Sequence, residues 1–202
     1  MIKRICVYCG SGPGTNPAFV AAARQFGKIL VLNGIELVWG AGKYGIMGEI
    51  ARSVLQNGGS ATGVIPEFLI RKEGTLEGTT HLIVTKDMHE RKQKFWELSD
   101  AFVALPGGVG TLEETVEQMT WIQIGRSKKS MLLANIEGFW DPLICLLEHM
   151  RRLEFIRPGL EFNQLVANQV DEILPILNGT LVSKRPGMNG NGHLAAELGR
   201  HF

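Results

Sequence analysis

Pro106-Gly107-Gly108-Val109-Gly110-Thr111-Leu112-Glu113-Glu114 places three glycines in four positions, then a threonine and two carboxylates. Glycines in such a turn let backbone N–H groups approach a phosphate, and a following helix adds the positive end of its dipole. A carboxylate just beyond would stand beside whatever the phosphate carries. Thr111 and Glu114 also have capping-box spacing, so in a second reading Glu114 only bonds back to the Thr111 N–H. Glu113, taken alone, fits a structural role favoured by the helix dipole. Capping does not explain the glycines.

Arg91 is the second candidate. From Asp87 to Leu98 the apolar residues Met88, Phe95 and Leu98 form one helical stripe, and Arg91 is its missing member. A guanidinium on an inward face needs an anion, because an unpaired buried charge is costly. An internal Arg–Glu pair, a snorkelling side chain and a bound ligand all satisfy that need. His89 points off the stripe, towards solvent. Lys92 and Lys94 read as a solvated face, with Lys92 bordering the stripe.

These residues need a scaffold, and the chain supplies alternating strand-like and helix-like runs. Strands are expected at residues 2–8, 35–39, 61–65, 81–85, 101–105, 131–134 and 165–167. Helices are expected at 17–32, 45–56, 87–98, 111–123, 139–152 and 171–177, with Asn16-Pro17 and Asp87 as N-terminal caps. Residues 67–79 read as a loop. Such alternation implies a single-domain α/β fold, a Rossmann-like doubly wound parallel sheet over residues 1–180. Residues 181–202 form a Gly- and Asn-rich stretch expected to be a flexible tail.

The 25 glycines cluster after strands, at Gly10-Ser11-Gly12, Gly40-Ala41-Gly42 and Gly107-Gly108. In an open parallel sheet that edge binds ligands. Three such turns on one edge point to a phosphorylated or nucleotide ligand. Gly40 to Gly45 also spells G-x-G-x-x-G, a dinucleotide fingerprint, but no acidic residue closes the third strand. A helix-packing turn facing the ligand explains it equally well.

Composition excludes several classes. The 202 residues are 45% hydrophobic and 20% charged, with Lys+Arg 21 against Asp+Glu 20. That balance gives no support for nucleic-acid binding, and no apolar run reaches the ~20 residues of a membrane helix. Three cysteines, Cys6, Cys9 and Cys145, fit a reducing, cytoplasmic setting. Cys6 and Cys9 lie three apart on a strand, so they face opposite ways and form no metal site.

The pattern P-G-G-x-G-T-x-x-E at Pro106 to Glu114, with Met88-His89-Glu90-Arg91-Lys92 upstream, resembles the LONELY GUY family of cytokinin-activating phosphoribohydrolases. Cys9-Gly10-Ser11, Gly45-Ile46-Met47-Gly48, Gly63-Val64-Ile65-Pro66 and Thr120-Trp121-Ile122-Gln123-Ile124-Gly125 extend the likeness over residues 1–177. Members were often mislabelled lysine decarboxylases. The resemblance implies a Rossmann-like homodimer that cleaves the N-glycosidic bond of (N6-modified) adenosine 5′-monophosphates with water. The products are the free base, a cytokinin or adenine, and ribose 5-phosphate. It implies catalytic roles for Arg91 and Glu114, and a sugar or base contact for Glu73. Lys92, the loop Gly107, Gly108, Val109, Gly110, Thr111, Leu112 and Glu113, and Thr120 would hold the nucleotide. Arg126 and Ser130 depart from the His and Pro that many members carry there.

The chemistry agrees. Glycosidic cleavage passes through an oxocarbenium-like sugar, which carboxylates stabilise while positioning water. A remote phosphate anchor orients the sugar. Neither role needs a metal or cofactor. A decarboxylase would need a Schiff-base lysine, and neither Lys43 nor Lys92 sits in such a context. The alternative is a carrier of the same fold that binds a nucleotide or cofactor without hydrolysing it.

Overall fold

The computed structural model describes residues 2–156 and 165–179, the side chain of Glu73 excepted. The expected tail at 181–202 lies outside the described residues. Seven parallel strands form one sheet. They are β1 (Arg4–Tyr8), β2 (Glu36–Trp39), β3 (Ala61–Pro66), β4 (His81–Thr85), β5 (Ala101–Ala104), β6 (Met131–Ala134) and β7 (Leu165–Ala167). The helices are α1 (Pro17–Leu32), α2 (Gly45–Gln56), α3 (Glu67–Glu73), α4 (Met88–Leu98), α5 (Val109–Gln123), α6 (Asp141–Arg152) and α7 (Ile173–Leu177).

The spatial order is β4-β3-β2-β1-β5-β6-β7. The chain runs outward from β1 to β4, then returns to place β5 on the other side of β1. Connections therefore diverge between β1 and β5, the switch point where open α/β sheets bind ligands. Two apolar layers hold the sheet. Phe26 and Leu30 of α1, Ile46, Ile50 and Val54 of α2, and Ile173 and Leu174 of α7 cover one face. Phe95 of α4, Met119 of α5, and Ile144 and Leu147 of α6 cover the other. Cys6 of β1 joins the second layer and Cys9, just past its end, joins the first, so the two do face opposite ways.

The caps work as read. Asn16 Oδ1 accepts the Ala18 N–H at 2.9 Å ahead of Pro17, and Asp87 Oδ1 accepts the Glu90 N–H at 2.9 Å. Two expectations are corrected. Residues 67–73 form α3 where a loop was expected. The segment is two short helical turns behind Pro66, too brief for a periodic pattern. More consequentially, α5 begins at Val109 rather than Thr111, with Gly108 as its N-cap.

Candidate active site

The three glycine-rich turns follow β1, β2 and β5, which are neighbours in the sheet. They meet through close backbone packing. The Gly10 N–H donates to the Pro106 carbonyl at 3.1 Å. A Cβ on Gly107 would lie 2.2 Å from Thr111 Oγ1 and 2.8 Å from the Gly10 nitrogen, so any side chain there would wedge β1 from β5. Gly108 and Gly110 differ, since a Cβ on either meets nothing within 4 Å. Their surroundings are open space at the end of α5.

The early start of α5 changes the role of its residues. The first intrahelical bond runs from the Leu112 N–H to the Gly108 carbonyl at 3.0 Å. The N–H groups of Val109, Gly110 and Thr111 precede it and point out of the helix end. No side chain caps that end, and no acidic residue stands in its first turn. It is an uncompensated positive dipole end beside the switch point, suited to an anion. Glu113 and Glu114 fall in the second turn. Neither the capping-box reading of Glu114 nor the dipole reading of Glu113 survives.

Arg91 lies where the stripe puts it, buried at 7% exposure. Its Nε donates to the Val64 carbonyl at 3.1 Å and its Nη2 to the Gly40 carbonyl at 3.4 Å. The guanidinium carbon lies 5.1 Å from the Phe95 ring centroid. Nη1 stands 3.8 Å from Glu114 Oε1, an ion pair without a hydrogen bond. Gly40 is the residue that admits it, because a Cβ there would sit 2.2 Å from Nη2. Thus the first G-x-G glycine serves the arginine, and a Cβ on Gly45 would strike the Ser11 carbonyl at 2.3 Å. The motif packs the loops after β1 and β2 against each other and against Arg91. Ala41 within it has φ 62°, a strained value for a side-chain-bearing residue.

Burial pushes the Glu114 carboxyl up to about 7; the Arg91 guanidinium opposes this, and the Glu113 charge adds to it. Burial and the Glu114 charge together push up the Cys9 thiol, just past the end of β1. Lys92 bridges two carboxylates of α5, Glu113 at 2.6 Å and Glu117 at 2.9 Å. Burial lowers its affinity for the proton, but those two hydrogen bonds outweigh it and hold the ammonium charged. Trp96 of α4 meets Trp121 of α5 edge to face at 6.2 Å.

The structure therefore brings together Arg91, Glu114 and the turn from Gly107 to Leu112. Glu113 lies one turn up α5, paired with Lys92 of α4. Thr120 stands on an exposed face near the far end of α5, ~16 Å along the axis from Val109, with its hydroxyl donating to the Val116 carbonyl at 2.8 Å. Glu73 closes α3, and its side chain lies outside the described residues. The sequence did not reveal Gly40 and Val64 as partners of Arg91, nor Glu117 as a partner of Lys92. The first two act through main-chain carbonyls and leave no side-chain signal. Glu117 was detectable, being four residues beyond Glu113 on one face. Among the described residues no cluster of His, Cys, Asp or Glu is arranged to hold a metal.

A doubly wound sheet with an uncapped helix end and a largely buried Arg–carboxylate pair at its switch point puts this chain among the open α/β proteins that bind ligands at that edge. Comparison with known proteins narrows the class. Residues 47–177 match the family described as "Possible lysine decarboxylase". A probable cytokinin riboside 5′-monophosphate phosphoribohydrolase of Oryza sativa subsp. japonica is 46% identical over 76% of this chain and 69% of its own length. A cytokinin riboside 5′-monophosphate phosphoribohydrolase of Arabidopsis thaliana is 42% identical over 77% of this chain and 73% of its own. Another from Oryza sativa subsp. japonica is 44% identical over 72% of this chain and 60% of its own. The chain belongs to this LONELY GUY family. Among solved structures, the Moco carrier protein of Chlamydomonas reinhardtii superposes with a TM-score of 0.64 at 22% identity, covering 90% of this chain and 100% of that one. The molybdenum cofactor binding protein of Rippkaea orientalis gives 0.64 at 18% identity, over 89% of this chain and 98% of its own. At those identities the likeness concerns the fold alone.

Proposed function

We propose that this protein hydrolyses the N-glycosidic bond of adenosine 5′-monophosphates, preferring N6-modified bases, and releases the free base and ribose 5-phosphate. The observation that carries this reading is the buried Arg91–Glu114 pair one turn beyond the uncapped end of α5. The 5′-phosphate docks on the N–H groups of Val109, Gly110 and Thr111, with Gly107, Gly108 and Leu112 shaping the turn. Glu114 follows Gly110 by ~6 Å along the helix axis, about the length of a ribose. Its carboxylate then faces the anomeric carbon, where it stabilises the oxocarbenium-like sugar and orients the attacking water. Arg91 favours the ionised form of that carboxylate and keeps it in place. The base extends over β2 and β3 towards Glu73. Lys92, with Glu113, fixes α4 against α5 and so sets the Arg91–Glu114 spacing. The names of the curated relatives support the same reaction.

We further place the protein in the cytoplasm as a homodimer. Its three cysteines are unpaired, and no helix among the described residues is long and apolar enough to cross a membrane. Val109, Leu112, Val116 and Ile124 form an exposed apolar stripe along α5, and Thr120 lies within it. A second copy packed there would bring Thr120 into a shared site. The phosphate anchor is tested by comparing AMP with adenosine. AMP should be cleaved and adenosine scarcely at all, and equal rates would overturn the docking of phosphate on α5.

A further inference from the structure

The proposed reaction leaves one charge unaddressed. When the C1′–N bond breaks, its electron pair departs with the base, and a purine anion is a poor leaving group unless a proton meets it. Arg91 cannot supply that proton, since a guanidinium does not titrate in proteins. Glu114 is committed as the carboxylate. Another cation at this edge of the sheet is Lys43, in the turn after β2.

Lys43 lies in the turn between β2 and α2, three residues after the Gly40 carbonyl that accepts Arg91. Its main chain is fixed, because Arg52 Nη1 donates to the Lys43 carbonyl at 2.9 Å and Glu49 holds Arg52 at 2.6 Å. The half-buried side chain lies against Gly74, which follows Glu73. A Cβ on Gly74 would come within 2.9 Å of Lys43 Cε and 3.0 Å of Nζ. The ammonium stands 5.1 Å from the Tyr44 ring centroid. Among the described side chains no carboxylate pairs with it, although Lys92, the site's other lysine, holds two. The 74–76 turn is tied to the same loop by the Leu76 N–H, which donates to the Ala41 carbonyl at 3.3 Å. A positioned ammonium that pairs with no carboxylate among the described side chains thus stands at the end of the site where the proposed function puts the base, beside Gly74.

We infer that Lys43 is the general acid that protonates the departing base, an inference that rests on the proposed hydrolase function. The C1′–N bond breaks and its electrons pass to the base, while an N–H proton of Lys43 goes to a ring nitrogen. Water oxygen bonds to C1′ and gives its proton to Glu114. Solvent then returns that proton from Glu114 to the Lys43 amine. One water is consumed, and both groups regain their starting states.

The test uses the intact protein and two nucleotides, AMP and the 5′-monophosphate of 6-chloropurine riboside, whose base is the more acidic. General-acid assistance contributes roughly 10²–10⁴-fold and matters most for the poorer leaving group. Lys43→Met should therefore lower kcat on AMP by about 100-fold, with far less loss on the chloropurine nucleotide and little change in KM on either. Lys43→Arg keeps the charge but cannot release a proton, so it should not rescue AMP. Equal losses on the two nucleotides, an effect confined to KM, or rescue by Arg would each overturn the general-acid role. If the unmodified protein cleaves neither nucleotide, the hydrolase reading itself fails. If it cleaves both and Lys43→Met behaves like it, only the role of Lys43 is lost.

Discussion

Glu114→Gln should separate chemistry from folding, with a pH signature set by the site's electrostatics. Burial raises the Glu114 carboxyl from 4.5 to about 7 in the folded chain. The folded state therefore holds this proton more tightly than the unfolded chain does. The sign follows directly: the group's contribution to stability is fully present below pH 4.5 and is lost as pH rises towards and through about 7. A gap of 2.5 between those two values corresponds to ~3 kcal/mol at about 1.36 kcal/mol per pH unit. Glutamine has nearly the same shape and never ionises. The variant should thus match the parent near pH 4.5 and become more stable by ~3 kcal/mol above pH 7. For a chain of this size that is about 6–12 °C in Tm. Urea unfolding of both proteins across this pH range, without ligand, measures the difference, and all other titrating groups cancel. A difference that does not change with pH would refute the buried, high-affinity carboxyl. The same variant should lose turnover by orders of magnitude, so the residue that costs stability at neutral pH is the one the chemistry needs.

Four further outcomes follow from named contacts. If the ionised Glu114 is the working form, kcat/KM rises with pH through about 7. Arg91→Met should move that limb to higher pH, because the guanidinium opposes the rise; an unmoved limb would detach Arg91 from Glu114. Gly40→Ala forces a Cβ to 2.2 Å from Arg91 Nη2, so it should depress activity as Arg91→Met does and destabilise by ~1–3 kcal/mol in thermal unfolding. Gly110→Ala meets nothing within 4 Å in the free chain and should stabilise α5 by ~0.5–1 kcal/mol. It should nonetheless raise KM for AMP by covering the phosphate site, and an unchanged KM would place the phosphate elsewhere. Lys92→Met breaks ion pairs to Glu113 and Glu117; it should reduce kcat through the α4–α5 spacing, and full activity would leave Lys92 without a positioning role.

Much of this fold could be read from the chain because its strands are continuous apolar runs punctuated by glycine and proline. The caps at Asn16 and Asp87 fixed two helix starts from side-chain chemistry alone. The start of α5 was hidden for the opposite reason. Gly108 and Gly110 are poor helix formers, so the pattern placed the helix at Thr111, two residues late. That slip mattered, since it moved Glu113 and Glu114 into the first turn and supplied them with structural roles they do not have. The short α3 has too few residues to show a period. Arg91 was legible as an apolar stripe with one charged member, but its partners were not. Two of them are the main-chain carbonyls of Gly40 and Val64, brought beside α4 only by the order of β1, β2 and β3 in the sheet. Glu114, the third, was identified as a candidate but could not be paired with Arg91 from spacing.

The most direct measurement incubates the purified protein, and its Glu114→Gln variant, with AMP and with isopentenyladenosine 5′-monophosphate, then quantifies free base and ribose 5-phosphate. The parent should release equimolar base and ribose 5-phosphate, faster from the isopentenyl nucleotide, and the variant neither product. Nucleotide-dependent thermal stabilisation with no product from the parent would contradict the hydrolase reading and identify a carrier.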